Sequence, residues 1–214
     1  MNKNLHNYRK SYEQGALTLA SVDKDPFIQF NNWFHAAETS KNVFEVNAMT
    51  LSTIGVDGFP RGRVVLLKEY NAEGFVFYTN YQSEKGKAMA KTPEVCLSFF
   101  WPALEQQILI KGVAEKVSEE MSIQYFSERP RKSQLGAMVS NQSESIESRE
   151  ALEAKLAALE QQFDGQDIPK PKNWGGYLVR PTLFEFWQGR RSRLHDRIQY
   201  AQEGTTWNIT RLQP

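Results

Sequence analysis

The stretch Asp57-Gly58-Phe59-Pro60-Arg61-Gly62-Arg63-Val64-Val65-Leu66-Leu67-Lys68-Glu69-Tyr70-Asn71-Ala72-Glu73-Gly74-Phe75-Val76-Phe77-Tyr78-Thr79 decides the fold class. Asp57-Gly58 is a strong hairpin turn, because this pair accepts the positive φ of a tight primed turn. It separates a first strand, residues 45–54, from a return strand over Arg61–Tyr70 with Val64-Val65-Leu66-Leu67 at its centre. Asn71-Ala72-Glu73-Gly74 then turns the chain into Phe75–Thr79. Further strands are predicted near residues 94–101, 106–117, 175–188, 195–201 and 206–211. Strands joined mainly by hairpins, with few helices between them, point to an antiparallel barrel rather than a doubly wound sheet. The fold class is mainly β with peripheral helices (α+β).

The helices are few and have clear starts. Asp25-Pro26 gives an N-cap acceptor followed by proline at the first helical position, and Phe27, Phe30, Phe34 and Ala37 recur at helical spacing. Ser83 caps a short helix to about Lys91, which Pro93 ends, and Ser118 caps another through about Phe126. Ser148 begins an amphipathic helix with Leu152, Leu156, Leu159 and Phe163 on one stripe. Residues 1–20 read as a mobile N-terminal arm, 21–165 as the main barrel domain and 166–214 as C-terminal strands that complete it, one structural domain overall.

Composition narrows the function. A chain of 214 residues with 40% apolar and 24% charged residues is ordinary for a globular protein. A formal charge of +1 argues against a dedicated nucleic-acid binder. Cys96 is the only cysteine, so no internal disulfide can form; it lies in the apolar run Val95–Trp101 and reads as a small hydrophobe. The N-terminus shows no apolar signal region and no stretch approaches a membrane span, which points to the cytosol. There is no G-x-G-x-x-G after a strand and no Walker A loop, and the histidines His6, His35 and His195 are far apart in sequence, so neither a Rossmann or P-loop nucleotide site nor a metal site is expected.

Basic residues nevertheless gather locally. Arg190, Arg191, Arg193 and Arg197 surround His195 directly after the aromatic run Phe184-Glu185-Phe186-Trp187. Arginine offers a rigid fork of donors that matches phosphate. Arg61, Arg63 and Lys68 flank an apolar strand centre; in a regular strand Arg61 and Arg63 share a face while Lys68 points to the other. Tyr78, Thr79, Ser83 and Lys85 sit at a helix start, where free N–H groups favour an anion. Tyr125, Arg129, Arg131, Lys132 and Ser133 cluster in what reads as a helix end and loop. Each patch alone has a plain structural explanation; together they suggest two anion sites, one for a cofactor phosphate and one for a substrate phosphate.

Arg63–Lys68, Phe77–Asn80, Tyr125–Ala137, Phe186–Gly189 and Arg193-Leu194-His195-Asp196-Arg197, in this order along nearly the whole chain, resemble the pyridoxine/pyridoxamine 5'-phosphate oxidase family. The resemblance implies a homodimeric FMN-binding split barrel, with FMN at the subunit interface. It implies oxidation of pyridoxamine or pyridoxine 5'-phosphate to pyridoxal 5'-phosphate with O2 as acceptor, releasing H2O2. By position, it implies FMN contacts from Arg63, Val64, Val65, Leu66, Leu67, Lys68, Tyr78, Thr79, Lys85, Gln107, Gln142 and Ser143, completed by Trp187 and Arg197 from the second subunit. Lys68, Tyr125, Arg129 and Ser133 would hold the substrate phosphate, and Arg193 and His195 would lie over the substrate ring as the catalytic pair. His195 is open to an acid–base or a positional role. Arg9 and Tyr12 resemble lid residues of the arm. Arg190 and Arg191 match no motif residue and read as solvated turn residues. One departure stands out: the family usually has Ser-Arg-Lys where this chain has Ser83-Glu84-Lys85. Either Glu84 turns outward, or another cation compensates, or FMN binds more weakly; Arg63, Lys85 and Ser143 lead us to expect FMN to be retained. Other readings are a split-barrel flavin enzyme for another substrate, a non-catalytic pyridoxal phosphate binder and, least favoured by charge, a nucleic-acid module.

Overall fold

The computed structural model describes residues 3–214. Met1 and Asn2 of the expected arm lie outside the described residues. In chain order the elements are α1 (Pro26–Thr39), β1 (Ala48–Ile54), β2 (Pro60–Leu66), β3 (Glu69–Asn71), β4 (Gly74–Asn80), α2 (Glu84–Lys91), β5 (Glu94–Trp101), β6 (Gln106–Lys116), α3 (Glu119–Glu128), α4 (Arg131–Val139), α5 (Arg149–Gln162), β7 (Trp174–Gln188), β8 (Asp196–Glu203) and β9 (Thr206–Leu212). The strands form one sheet in the order β2-β1-β5-β6-β7-β4-β3, with β8 on β7 and β9 on β8. β7 has three partners, β6, β4 and β8: residues 174–179 pair antiparallel with β4, and 183–188 pair antiparallel with β8. Pro181, which has no N–H to give a ladder, stands between the two segments.

Local chemistry explains the helix starts. Asp25 accepts the Phe27 N–H at 2.8 Å, and the Ser83, Ser118 and Ser148 side chains accept amides of the first turns of α2, α3 and α5. Two expectations change. The single return strand over Arg61–Tyr70 is broken at Leu67-Lys68 into β2 and β3, with the Lys68 N–H donating to the Val76 carbonyl at 2.8 Å. The region after Arg129 is not a loop but the helix α4.

The chain divides into two compact units. One gathers the residues up to Thr50 with Leu97–Lys111 and Thr182–Pro214; the other gathers Leu51–Cys96 and Gly112–Pro181. The first unit has an aromatic core. Phe30 stacks on Phe34 at 5.6 Å and meets Phe99 edge-on at 5.3 Å, while Phe186 meets Trp33 at 5.3 Å and Tyr200 at 5.6 Å. Each fully buried aromatic contributes about 1.5–3 kcal/mol by area alone. In the same unit the chain is tied down from Glu13 onward. The Glu13 and Gln14 amides donate to Glu105 Oε2 at 2.6 and 2.9 Å, and the Leu17 amide donates to Asp196 Oδ2 at 3.0 Å. Arg190 and Arg191 are not merely solvated turn residues. Arg190 donates to the Gly15 carbonyl at 2.6 Å and Arg191 pairs with Glu13 at 2.8 Å, so both fasten this segment.

The second unit holds Phe126, Leu135, Ile168 and Trp174 as a buried cluster, against which Leu156, Leu159 and Phe163, three of the four residues of the predicted stripe, pack. Helix α2 is pressed close to the chain before it: a Cβ on Gly86 would collide with the Tyr81 carbonyl. Gly86→Ala therefore must push α2 away from its seat, at a cost of about 2 kcal/mol. The expected outcome is a fall in Tm of about 4–8 °C in a thermal melt; an unchanged Tm would show that α2 has room to shift.

Candidate active site

The second unit contains a cavity of about 880 Å³. One end is built by β2, the end of β4 and α2. Arg63 is half-buried, and its Nη1 donates to Leu51 O at 3.0 Å, Thr53 Oγ1 at 2.8 Å and Arg61 O at 2.8 Å. Lys85 is only 8% exposed, and its Nζ reaches Gln142 Oε1 at 3.0 Å, Ser83 Oγ at 3.2 Å and Thr79 Oγ1 at 3.3 Å. Every one of these acceptors is neutral. Among the described residues no carboxylate forms an ion pair with Arg63 or Lys85. Burial, with the nearby Arg63 charge adding to it, pushes the Lys85 ammonium down to about 8. Two desolvated cations with no anion of their own suit an anionic group bound from outside. The Ser143 hydroxyl accepts the Glu84 N–H at 3.2 Å, which brings Ser143 to the start of α2.

The other end is built by α3, α4 and the start of β7. Arg129 lies over the Trp174 ring at 4.7 Å, and its Nη1 is buried without a hydrogen-bond partner. Leaving such a donor unsatisfied costs about 1–3 kcal/mol, and burial pulls the guanidinium below its ordinary value. No side chain caps α4, and Ser133 lines the cavity in its first turn. An orphaned guanidinium N–H beside an uncapped helix start again fits an anion. Tyr78 stacks on Tyr125 at 3.9 Å and lies nearly parallel to Trp174 at 5.5 Å, forming a wall of rings common to both ends. Burial raises the Tyr78 hydroxyl to about 12, so it is a neutral donor at ordinary pH.

The structure thus brings together around one cavity Arg63, Val64, Val65, Leu66, Lys68, Tyr78, Thr79, Lys85, Tyr125, Arg129, Ser133, Gln142 and Ser143. Lys68 does not face away from Arg63 as a regular strand requires; the break after Leu66 lets both line the same space. The Leu67 side chain is instead buried in the core. Sequence reasoning missed Asn80, Ser140 and Trp174, which also line the cavity. Asn80 Nδ2 donates to the Ser140 carbonyl at 3.3 Å, a link across sixty residues that no local pattern reveals. Trp174 had a usable signal, a lone tryptophan at a strand start before Gly175-Gly176. Those glycines pair with Thr79 and Tyr78, and a Cβ on Gly176 would press on the Tyr78 ring.

The other expected site residues belong to the first unit. His195 lies 4.7 Å from Trp187, ring to ring, and Tyr12 approaches each of them at 5.8 Å. The Arg190 N–H donates to His195 Nδ1 at 3.1 Å, so the neutral ring carries its proton on Nε2. Burial, then the Arg193 charge, lowers the His195 pKa, leaving it neutral at pH 7. Ser192 and Arg193 both hold positive φ, 58° and 61°, backbone strain of the kind that concentrates at functional loops. Arg197 is held by Glu185 through two hydrogen bonds of 2.8 and 3.0 Å. Arg193 and Arg9 are exposed, Arg9 donating to the His6 carbonyl at 3.1 Å, and Gln107 is half-buried on β6. Among the described residues no group of His, Cys, Asp and Glu could hold a metal, and no helix is long and apolar enough to cross a membrane.

An antiparallel sheet that carries such a cavity has the architecture of the FMN-binding split barrels. A pyridoxamine 5'-phosphate oxidase family profile matches residues 36–163, and a profile described as the pyridoxine 5'-phosphate oxidase C-terminal dimerisation region matches residues 174–214. A pyridoxine/pyridoxamine 5'-phosphate oxidase of Flavobacterium johnsoniae is 58% identical over 97% of this chain and 98% of its own length. One from Christiangramia forsetii is 54% identical over the full length of both. Among solved structures, PhzG from Burkholderia lata in complex with tetrahydrophenazine-1-carboxylic acid superposes with a TM-score of 0.87 at 28% identity, covering 96% of this chain and all of that one. An FMN-binding protein of Nostoc punctiforme shares the fold, with a TM-score of 0.70 at 15% identity over 90% of this chain and all of its own. The chain belongs to the pyridoxamine 5'-phosphate oxidase family.

The Lys85 charge has a consequence for stability. Its folded pKa lies below its ordinary value of 10.5, so the burial penalty is fully present below about pH 8 and fades as pH rises towards 10.5. Lys85→Met should therefore raise the Tm of the cofactor-free chain at pH 7, with the gap to wild type narrowing as pH approaches 10. A lower Tm at pH 7, or a constant gap, would contradict this.

Proposed function

We propose that this chain oxidises pyridoxamine 5'-phosphate and pyridoxine 5'-phosphate to pyridoxal 5'-phosphate with FMN and O2, releasing H2O2, as a homodimer in the cytosol. One observation carries the reading: a single cavity has two separate ends, one with the buried Lys85 and the other with the half-buried Arg129 and its orphaned Nη1, neither held by an ion pair among the described residues. Two phosphate-bearing ligands, a cofactor and a substrate, match that demand. The relatives' names and the dimerisation region at residues 174–214 support it.

In this reading Arg63, Lys85, Thr79, Gln142 and Ser143 hold the FMN phosphate, with Val64, Val65, Leu66, Lys68, Tyr78 and the backbone of Leu67 continuing the flavin site, joined by Gln107 and completed by Trp187 and Arg197 of the partner subunit. FMN supplies the ring that accepts a hydride from the substrate. Lys68, Tyr125, Arg129 and Ser133 grip the substrate phosphate, a fixed handle that converts binding energy into orientation of the reacting carbon. Arg129 acts as a stacked, desolvated fork, which strengthens each charge-assisted hydrogen bond it makes. Arg193 and His195 position the substrate ring; a neutral His195 with its proton on Nε2 offers one donor there at pH 7. Glu185 fixes the Arg197 guanidinium by two hydrogen bonds, which limits the rotamers it has to lose on binding. Arg9 and Tyr12 act as arm residues that cover bound substrate.

Purified protein should be yellow, with a flavin spectrum that bleaches on anaerobic pyridoxamine 5'-phosphate. Colourless protein that takes up no FMN would overturn the reading. A yellow protein that does not bleach would instead be a binder or an oxidase for another substrate. Arg129→Ala should raise KM for pyridoxamine 5'-phosphate about 30- to 150-fold, the equivalent of about 2–3 kcal/mol for a lost charged hydrogen-bond pair. Arg193→Ala and His195→Ala should each lower kcat/KM at least about tenfold; losses under about twofold in both would remove these residues from the mechanism.

A further inference from the structure

Glu84 lines the cavity next to Lys85, at the end where an anion is expected. A free carboxylate there would oppose the charge of the bound phosphate. Glu84 is not free: its Oε1 accepts from Arg61 Nε at 2.9 Å. Arg61 is in turn clamped by Asp57, whose two oxygens accept from Nη1 at 2.6 Å and Nη2 at 2.7 Å. The clamp draws the Asp57 carboxyl down to about 2. Gly55 makes the arrangement possible, because a Cβ at that position would collide with Arg61 Nη1. The Arg61 fork is thus fixed by the hairpin turn on one side and offers its remaining Nε–H to Glu84 on the other. Asp57, Arg61 and Glu84 together carry one net negative charge.

We propose that Arg61 is a positioning residue for the cofactor, holding the Glu84 carboxylate so that Arg63 and Lys85 face the FMN phosphate without a competing anion. Arg61 acts through Glu84 and not by contact with FMN. The proposal rests on the FMN reading above and deepens it. Substitution then forms a charge ladder. Arg61→Gln leaves two negative charges beside the site, Glu84→Gln leaves none, and the double variant restores one.

The test is FMN titration into the full chain freed of flavin, followed by quenching of flavin fluorescence at low and high salt, with a thermal melt of each variant. Arg61→Gln should weaken FMN binding about tenfold, and this loss should shrink at high salt, which a packing defect would not do. Glu84→Gln should bind FMN at least about twofold more tightly than wild type. The double variant should return to within about threefold of wild type. The proposal is overturned if Arg61→Gln binds within about twofold of wild type, or if the double variant is as weak as Arg61→Gln. Should Arg61→Gln not fold, Glu84→Gln decides: equal or weaker binding overturns the proposal. A wild-type chain that takes up no FMN would instead remove the underlying functional reading and this proposal with it.

Discussion

Three cations held in low-dielectric surroundings without anions of their own set the logic of this protein. Lys85, Arg63 and Arg129 are desolvated by their own unit of the fold, and the groups that hydrogen-bond to them or stack on them are carbonyls, hydroxyls, an amide and aromatic faces, while the nearby Glu84 carboxylate is paired with Arg61. Such an arrangement is destabilising in isolation, since a buried charge is tolerated only when it is paired or fully hydrogen-bonded. An anionic ligand reverses the sign, because the same low dielectric that penalises an unpaired charge strengthens a paired one. The surrounding apolar cluster of Phe126, Leu135, Ile168 and Trp174, with its α5 facing, supplies the stability against which those cations are held.

Two irregularities make the cation geometry possible. The break at Leu67-Lys68 sends the Leu67 side chain into the core and lets Lys68 join Arg63 at the cavity, which an uninterrupted strand forbids because its side chains alternate. The helix α4, begun at Pro130 without a side-chain cap, sets its first turn beside Arg129. In both places the backbone gives up a regular partner so that a side chain or a helix start can meet a ligand.

Where charge of the opposite sign is present, the fold pairs it. Arg61 occupies Asp57 and Glu84, Arg197 occupies Glu185, and Arg190 with Arg191 fastens the segment around Glu13 and Gly15. The arginine-dense run at Arg190–Arg197 is therefore three things at once: a clasp at Arg190 and Arg191, a strained exposed turn at Ser192 and Arg193, and an ion-paired strand residue at Arg197. Its density carries less information than its spacing.

The hairpin signal at Asp57-Gly58, the caps at Asp25, Ser83, Ser118 and Ser148, and the alternation of the strands are local chemistry, and the sequence alone determined those elements and the antiparallel class. It also carried the motifs Arg63–Lys68, Tyr125–Ala137 and Arg193–Arg197, because each is contiguous. It did not determine that α4 follows Arg129, since Pro130-Arg131-Lys132-Ser133 has no capping side chain to mark a start. It could not place Asn80 against Ser140 or Trp174 under Arg129, nor choose a cation for Glu84. Those outcomes depend on which distant segments pack together, and in particular on β4 pairing with β7 at Thr79–Gly175, where two glycines let aromatic rings close in. Propensity and capping act over a few residues, whereas burial and charge pairing are settled only when the chain has folded, and only the tertiary structure decided them.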